Sequence, residues 1–140
     1  MGRLDRFGTA VNCIDGRAQT PVTDWMRLNC NIAFVDMITT PGAEQVLCEG
    51  PNERASRIEK KVRLSVVRHL SETVAVAGHY DCAANGCDRE EKLVMILDAV
   101  ETVKSWGLGV RVIGLYVNEW GSVEVISDSG GAKDDLRSFL

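Results

Sequence analysis

The sequence predicts an α/β domain in which a mostly parallel central sheet of four to five strands is flanked by helices, with an antiparallel edge strand near the C-terminus. Short apolar, β-branched segments alternate with segments whose apolar residues recur at helical spacing, which is the pattern of parallel strands joined by crossover helices. The chain has 140 residues and is 45% hydrophobic, so it can bury one core without disulfides. We therefore expect a single domain over residues 1–140.

The first two strands are predicted on either side of a helix. Thr9 to Ile14 is short and mostly apolar, as expected of a strand buried on both faces. Pro21 suits the first turn of a helix that Thr20 caps and that ends near Leu28. Asn31 to Ile38 forms the second predicted strand.

The next segment is open to two interpretations, and the one after it is clearly helical. Residues 43–48 lie between two turn-forming stretches and fit either one helical turn or an ordered loop. From Asn52 to about Leu70 the spacing predicts a long amphipathic helix. Its expected buried residues are Ala55, Ile58, Val62, Val66 and Leu70.

The second half predicts a buried strand over Thr73 to Gly78 and a helix that begins after Asp88 and stops at Gly107. The inward residues of that helix are expected to be Leu93, Ile96, Leu97, Val100 and Val103. The remaining elements are a strand over 109–117, a turn over 118–121, an antiparallel edge strand over 122–126 and a short helix in the tail after residue 127.

Charge and hydropathy narrow the range of partners. The 16 basic residues are scattered and outnumbered by 20 acidic ones, for a net charge of −4, which argues against a nucleic-acid binder with a basic stripe. The longest apolar runs, such as Leu93 to Leu97, cover about a quarter of a membrane span. The first residues contain no apolar signal core. We expect a cytoplasmic protein that binds neither nucleic acid nor membrane.

Cysteine and histidine residues follow two neighbouring strands of the predicted sheet. Cys13 falls at the end of the first strand, and His79 and Cys82 follow the third. Ligands of parallel sheets lie beyond the carboxyl ends of strands, and Gly78 is expected to let the backbone turn there. Two thiolates and an imidazole are natural Zn²⁺ ligands, and a set of three leaves a fourth position for water, as in catalytic sites. Zinc lowers the pKa of that water towards about 7.

Asp15 and Arg17 are the predicted partners of this zinc site. Along an extended segment, positions 13, 15 and 17 point the same way. The Asp15 carboxylate can bind the metal as a fourth ligand or accept a hydrogen bond from the metal's water. Arg17 can hold that carboxylate away from the metal through a bidentate pair and so keep the water position open.

These residues form two motifs, Cys13-Ile14-Asp15-Gly16-Arg17 and Gly78-His79-Tyr80-Asp81-Cys82-Ala83, which resemble the Cys-x-Asp-x-Arg and His-x-x-Cys signatures of the β-class carbonic anhydrases. The resemblance implies a zinc-dependent lyase that hydrates carbon dioxide reversibly through a zinc-bound hydroxide. It implies zinc on Cys13, His79 and Cys82, the pair Asp15 and Arg17 beside it, and a homodimer or larger homo-oligomer.

The chain departs from the family pattern at Gly16, where the family usually has serine, at Ala83, where it usually has glycine, and over residues 38–42. Two other functions therefore stay open: a hydrolase of carbonyl sulfide or carbon disulfide, and a non-catalytic zinc-binding module. Asp81 is expected either to position a ligand from outside the coordination sphere or to cap its loop. Cys87 is an extra ligand, a redox thiol or, as we favour, a bystander.

Overall fold

The computed structural model describes residues 5–130. Within that range the elements are, in chain order, β1 (Phe7–Asn12), α1 (Gly16–Asn29), β2 (Phe34–Thr39), α2 (Ala43–Cys48), α3 (Glu53–Arg68), β3 (Thr73–His79), α4 (Arg89–Ser105), β4 (Arg111–Val117) and β5 (Val123–Asp128).

The five strands form one sheet in the order β2-β1-β3-β4-β5. β1 pairs in parallel with β2 and β3, and β3 pairs in parallel with β4. β5 is antiparallel to β4, with a register shift between Gly114 and Leu115. This arrangement confirms the predicted fold class, including the antiparallel edge strand.

Helices cover both faces of the sheet. Successive strand side chains point to opposite faces, so Val74 and Val76 of β3 join one hydrophobic cluster while Ala75 and Ala77 join the other. The alanine face packs against α1, and the valine face packs against α2, α3 and α4. Because β3 is central and buried on both sides, the functional groups at its carboxyl end stand on a rigid support.

The prediction for the start of α1 was wrong. The helix begins at Gly16, and Asp15 is its N-cap, with Oδ1 accepting a hydrogen bond of 2.9 Å from the backbone N–H of Arg17. Pro21 lies inside the helix, where it lacks a backbone donor; the Asp15 cap and the burial of Ala18, Val22 and Met26 both favour the helix on either side of it. The helix thus starts five residues before the proline that we expected to open it.

The other differences concern boundaries and exposure. Residues 43–48, which the sequence left undecided, form helix α2. Leu97 is 40% exposed because the buried face of α4 runs one position earlier, along residues 92, 96, 99, 100 and 103. Leu70 lies beyond the end of α3 with a φ of 58° and points to solvent. The tail in which a short helix is expected runs from residue 127; its first two residues belong to β5, and residues 131–140 lie outside the described range.

Among residues 5–130, no helix combines the length and the apolar character that crossing a bilayer requires.

Candidate metal centre

The carboxyl ends of β1 and β3 meet at the point where the chain connections of the sheet diverge. From β1 the chain crosses to β2 on one side, and β3 returns on the other side of β1. Such a switch point leaves a crevice in which α/β sheets bind their ligands. Cys13 follows β1 directly and His79 is the last residue of β3, so the fold brings both to this crevice.

Three side chains converge here in a group that could hold a metal ion. The Sγ atoms of Cys13 and Cys82 lie 3.8 Å apart, and these two sulfurs and a ring nitrogen of His79 all lie within 4.8 Å of one another. All three residues are buried, none more than 3% exposed. Burial raises the pKa of the Cys82 thiol, and the neighbouring Cys13 adds to this effect. A dication between the two sulfurs would reverse that preference, because it favours thiolates.

The hydrogen bonds of His79 leave its other nitrogen available to a metal. Its Nδ1 lies 2.7 Å from the carbonyl oxygen of Tyr80, which can only accept, so Nδ1 carries the ring proton. Nε2 is then the ring nitrogen that can offer a lone pair to a metal. In the described part of the chain this buried atom has no hydrogen-bond partner. A metal-ligating histidine typically has this arrangement, with the outer nitrogen bound to a carbonyl or carboxylate. The donor set therefore fits Zn²⁺.

Cys13 is positioned by the residue before it. The buried side chain of Asn12 accepts a hydrogen bond of 2.8 Å from the backbone N–H of Cys13 through Oδ1. Its Nδ2 donates to the carbonyl oxygen of Ala18, at 3.1 Å. The end of β1 is thus tied to the first turns of α1. Sequence analysis did not single out Asn12, although an asparagine in a predicted buried strand is unusual.

Asp15 and Arg17 form a bidentate ion pair at the solvent side of the cluster. Arg17 Nη2 lies 2.7 Å from Asp15 Oδ2, and Arg17 Nε lies 3.1 Å from Asp15 Oδ1. The hydrogen bonds from Arg17 hold the pKa of the Asp15 carboxyl far below its usual range, and those to Asp15 raise the pKa of the guanidinium further. The carboxylate is therefore ionised and paired at neutral pH. It is not part of the three-residue ligand group found in residues 5–130.

The reason we gave for this pairing was incorrect. We expected positions 13, 15 and 17 to point the same way along an extended segment. Instead, the chain leaves the strand after Asn12 and enters α1 at Gly16. The Asp15 N-cap brings the two side chains together, since its carboxylate binds both the backbone and the side chain of Arg17.

Residues 80 and 81 complete the contacts of Arg17. The guanidinium lies over the Tyr80 ring, 5.1 Å from its centroid, and Nη1 donates to the Tyr80 hydroxyl at 3.3 Å. Nη2 donates to the carbonyl oxygen of Asp81, also at 3.3 Å, and the Asp81 carboxylate lies 3.5 Å from Nη1. Both the carbonyl and the carboxylate of Asp81 thus contact the arginine. Tyr80 was missed, although its place between His79 and Asp81 marked it for attention.

The turn that carries Cys82 starts at Tyr80, directly after β3, and not at Gly78. Asp81 has a φ of 50°, whereas Gly78 is an ordinary strand residue with a different role. A Cβ built on Gly78 would lie 3.0 Å from Ile96 Cδ1 and from Lys92 Cδ. The glycine therefore lets α4 pack closely against the end of β3.

A buried ion pair lies behind this turn, and sequence analysis missed it. Lys92 Nζ lies 2.6 Å from Glu44 Oε1, and both side chains are essentially inaccessible. The periodicity of α4 could have revealed Lys92, which precedes Ile96 by four positions on the buried face. Glu44 had no comparable signal because the structure of its segment was undecided.

The remaining cysteines and histidine do not join the cluster. The Cys87 sulfur lies 4.0 Å from Met95 Sδ, and the half-buried Cys48 donates to the carbonyl oxygen of Gln45. Cys30 is buried in the hydrophobic cluster against α1. His69 stacks on Phe7 at the opposite end of β1.

Comparison with known proteins identifies relatives in family and fold. The model of a family described as "Putative carbonic anhydrase" matches residues 3–127. No curated protein sequence matches the chain.

Three solved β-carbonic anhydrases share the fold. Isoform I from the protozoan Trichomonas vaginalis aligns with a TM-score of 0.60 at 13% identity, covering 90% of this chain and 87% of that chain. The β-carbonic anhydrase CcaA aligns with a TM-score of 0.59 at 12% identity, covering 89% and 74%. A tetrameric β-carbonic anhydrase from the ascomycete Sordaria macrospora aligns with a TM-score of 0.51 at 11% identity, covering 89% and 81%.

Proposed function

Because the chain belongs to the carbonic anhydrase family whose model spans residues 3–127, we propose that it is a zinc-dependent lyase that hydrates carbon dioxide reversibly to bicarbonate. The observation that carries this proposal is the ligand group itself. Two buried sulfurs lie next to an imidazole whose Nε2 has no hydrogen-bond partner in the described residues. Three protein ligands, with no fourth in the group found among residues 5–130, are the donor set of a catalytic zinc site.

Each residue of the site has a role in this proposal. Cys13, His79 and Cys82 hold the zinc, and the carbonyl of Tyr80 keeps the His79 ring in the tautomer that can bind it. A zinc ion there would lower the pKa of a coordinated water towards about 7, which supplies the nucleophile at neutral pH.

Asp15 and Arg17 act beside the metal, not on it. The paired carboxylate of Asp15 is a hydrogen-bond acceptor that can orient the reacting water. Arg17 prevents this carboxylate from moving onto the metal. The contacts of Arg17 with Tyr80 and Asp81 fix the guanidinium in that position. A purely structural zinc module would have no use for this arrangement, which favours the lyase over the non-catalytic alternative.

We further propose that the chain functions as a homo-oligomer. The Sordaria macrospora relative is tetrameric. Trp120, in the turn before the edge strand β5, is 79% exposed, and contact with a second subunit would remove this apolar surface from water. Sedimentation at micromolar concentration should give a multiple of 15.3 kDa. A single species of monomer mass would overturn this part of the proposal.

The decisive test of the lyase is stopped-flow hydration of carbon dioxide by protein whose zinc content has been measured. We expect hydration that scales with bound zinc, is lost on chelation and returns on reloading. Carbonyl sulfide serves as the comparison substrate. Fully zinc-loaded protein that consumes carbonyl sulfide but does not accelerate carbon dioxide hydration would overturn the lyase in favour of a hydrolase.

A further inference from the structure

The ion pair between Glu44 and Lys92 connects three separate segments of the chain inside the core. Glu44 lies in α2 and Lys92 in the first turn of α4, and their side chains are 0% and 2% exposed. Besides Glu44 Oε1 at 2.6 Å, Lys92 Nζ donates to the carbonyl oxygen of Asn85 at 3.1 Å. The third segment is thus the turn between β3 and α4.

Asn85 is held by this pair from both sides and in turn holds Cys82. Its Nδ2 donates to Glu44 Oε1 at 3.1 Å, and its carbonyl accepts from Lys92. Its backbone N–H donates to the carbonyl oxygen of Cys82, also at 3.1 Å. Residues 80–88 contain no helix or paired strand beyond the single bridge between Cys82 and Asn85. The ion pair therefore supplies the support that regular structure does not.

The hydrocarbon stem of Lys92 also reaches the strand that carries the other ligand. Its Cδ lies 3.0 Å from the position a Cβ would take on Gly78, the residue immediately before His79. The same lysine thus packs against the end of β3 and binds the turn that presents Cys82. A change at Lys92 would affect the relative position of two members of the cluster.

The chemistry of the pair is poorly suited to stability alone. Removing two charges from water is expensive, and apolar residues of the same volume often serve a core equally well. Glu44 Oε2, moreover, is buried without a hydrogen-bond partner among the described residues. Unlike apolar residues, the ion pair forms directional contacts: it fixes Asn85 through charge-assisted hydrogen bonds.

We propose that Glu44 and Lys92 are positioning residues that hold the Cys82–Asn85 turn in its metal-binding geometry and so set the zinc affinity of the cluster. This proposal rests on the proposed function only in taking Cys82 as a zinc ligand. It requires no catalytic activity.

The test compares zinc affinity in the wild type and in the double variant Glu44→Gln with Lys92→Met. The double variant removes both charges while nearly preserving volume, and so avoids the isolated buried charge that either single change leaves. Zinc affinity is measured by competition with a chromogenic chelator, and Co²⁺ loading reports sulfur coordination through its charge-transfer absorption. We expect the double variant to bind zinc about tenfold to a hundredfold more weakly and its Co²⁺ spectrum to change.

The matched control is Val62→Ala, which opens a cavity in the buried face of α3. It should destabilise the metal-free protein and leave the zinc affinity unchanged. Wild-type zinc affinity and an unchanged Co²⁺ spectrum in the double variant would overturn the proposal, as would an equal loss of affinity in Val62→Ala. Wild-type protein that binds zinc weakly or without sulfur ligands would overturn both this proposal and the lyase. If the wild type binds zinc but does not hydrate carbon dioxide, a weaker double variant supports the positioning role while the lyase fails.

Discussion

Two carboxylate–cation pairs lie beside the Cys13–His79–Cys82 cluster, one on its solvent side and one inside the core. Asp15–Arg17 and Glu44–Lys92 have nearly equal closest N–O distances, 2.7 and 2.6 Å. Their surroundings differ. The side chains of the first pair are 22% and 49% exposed, whereas those of the second are 0% and 2% exposed.

The difference teaches that equal geometry does not mean equal function. Water screens the outer pair, Asp15–Arg17, so breaking this pair costs little stability. The pair is therefore suited to a role in chemistry at the rim of the crevice. The inner pair cannot lose one partner without leaving a charge in the core. It is therefore suited to holding segments in place. The following experiments test this division, and also the cluster on which both pairs depend.

The largest effect is expected from the cluster itself. Cys13→Ser and His79→Ala should each lose bound zinc and all activity, because two remaining protein ligands do not hold the ion tightly. Zinc content by elemental analysis is the measurement, with about one ion per chain expected in the wild type. Cys87→Ser is the matched control, since its sulfur contacts Met95 and not the cluster. Retention of full zinc occupancy by both ligand variants would show that the ligand assignment is wrong.

The next effect in size is that of breaking the inner pair. Lys92→Met leaves the Glu44 carboxyl in the core without its cation and should lower the free energy of unfolding by about 3–5 kcal/mol. Urea unfolding of the metal-free protein measures this loss. Adding Glu44→Gln should recover most of the stability, because the uncompensated charge is then removed. A double variant as unstable as the single one would contradict this account and point to packing by the lysine stem.

Breaking the outer pair should affect turnover far more than stability. Arg17→Ala frees the Asp15 carboxylate, which can then compete for the metal, and we expect a loss of about a hundredfold in hydration per bound zinc. Zinc content should stay close to that of the wild type. Arg57→Ala is the matched control, since Arg57 forms an equally short exposed pair with Glu53, within α3. Near-normal turnover per zinc in Arg17→Ala would reduce the pair to a structural contact.

The smallest effect is expected at an exposed pair on the sheet edge, Glu124–Arg89. The Asn118 side-chain amide and the Arg89 guanidinium hold the pKa of the Glu124 carboxyl below its usual value. The carboxylate therefore stabilises the fold at neutral pH, and this contribution disappears as pH falls below the ordinary value of about 4.5. Glu124→Gln should be slightly less stable than the wild type at pH 7, and the difference should fade in acid. Thermal unfolding of both proteins between pH 7 and acidic pH measures this difference in stability. A difference that grows in acid would contradict a lowered pKa of Glu124.

The fold was predictable because its information is local and repeated. β3 and β4 are strongly apolar, and α1, α3 and α4 each bury one side of the helix, so these element types followed from the sequence pattern. The type of residues 43–48 did not. Boundaries were less certain. The start of α1 was misplaced because a proline often occupies the first turn of a helix. Here the helix is capped by Asp15 and begins at Gly16, so that Pro21 lies in its interior. The sequence around them does not indicate whether Asp15 or Pro21 marks the start of the helix.

The cluster residues were predictable for a different reason. A cysteine after one parallel strand and a His-x-x-Cys motif after another belong to the same edge of a sheet by topology. Their spacing in the sequence therefore implied proximity before any distance was known, and the structure brings Cys13, His79 and Cys82 together. Asp15 and Arg17 were also expected to pair, although the N-cap that joins them was not anticipated.

The buried ion pair behind the metal centre could not be predicted from the sequence. Charged residues in a helix are normally solvated. The periodicity of α4 places Lys92 on the buried face, but nothing in the sequence indicates that Glu44 is its partner. Their pairing depends on how α2 and α4 pack on the same face of the sheet, 48 positions apart in the chain. Periodicity and short motifs report interactions between near neighbours and along single elements. A buried ion pair between two helices arises only when the chain has folded and water has been excluded from both partners.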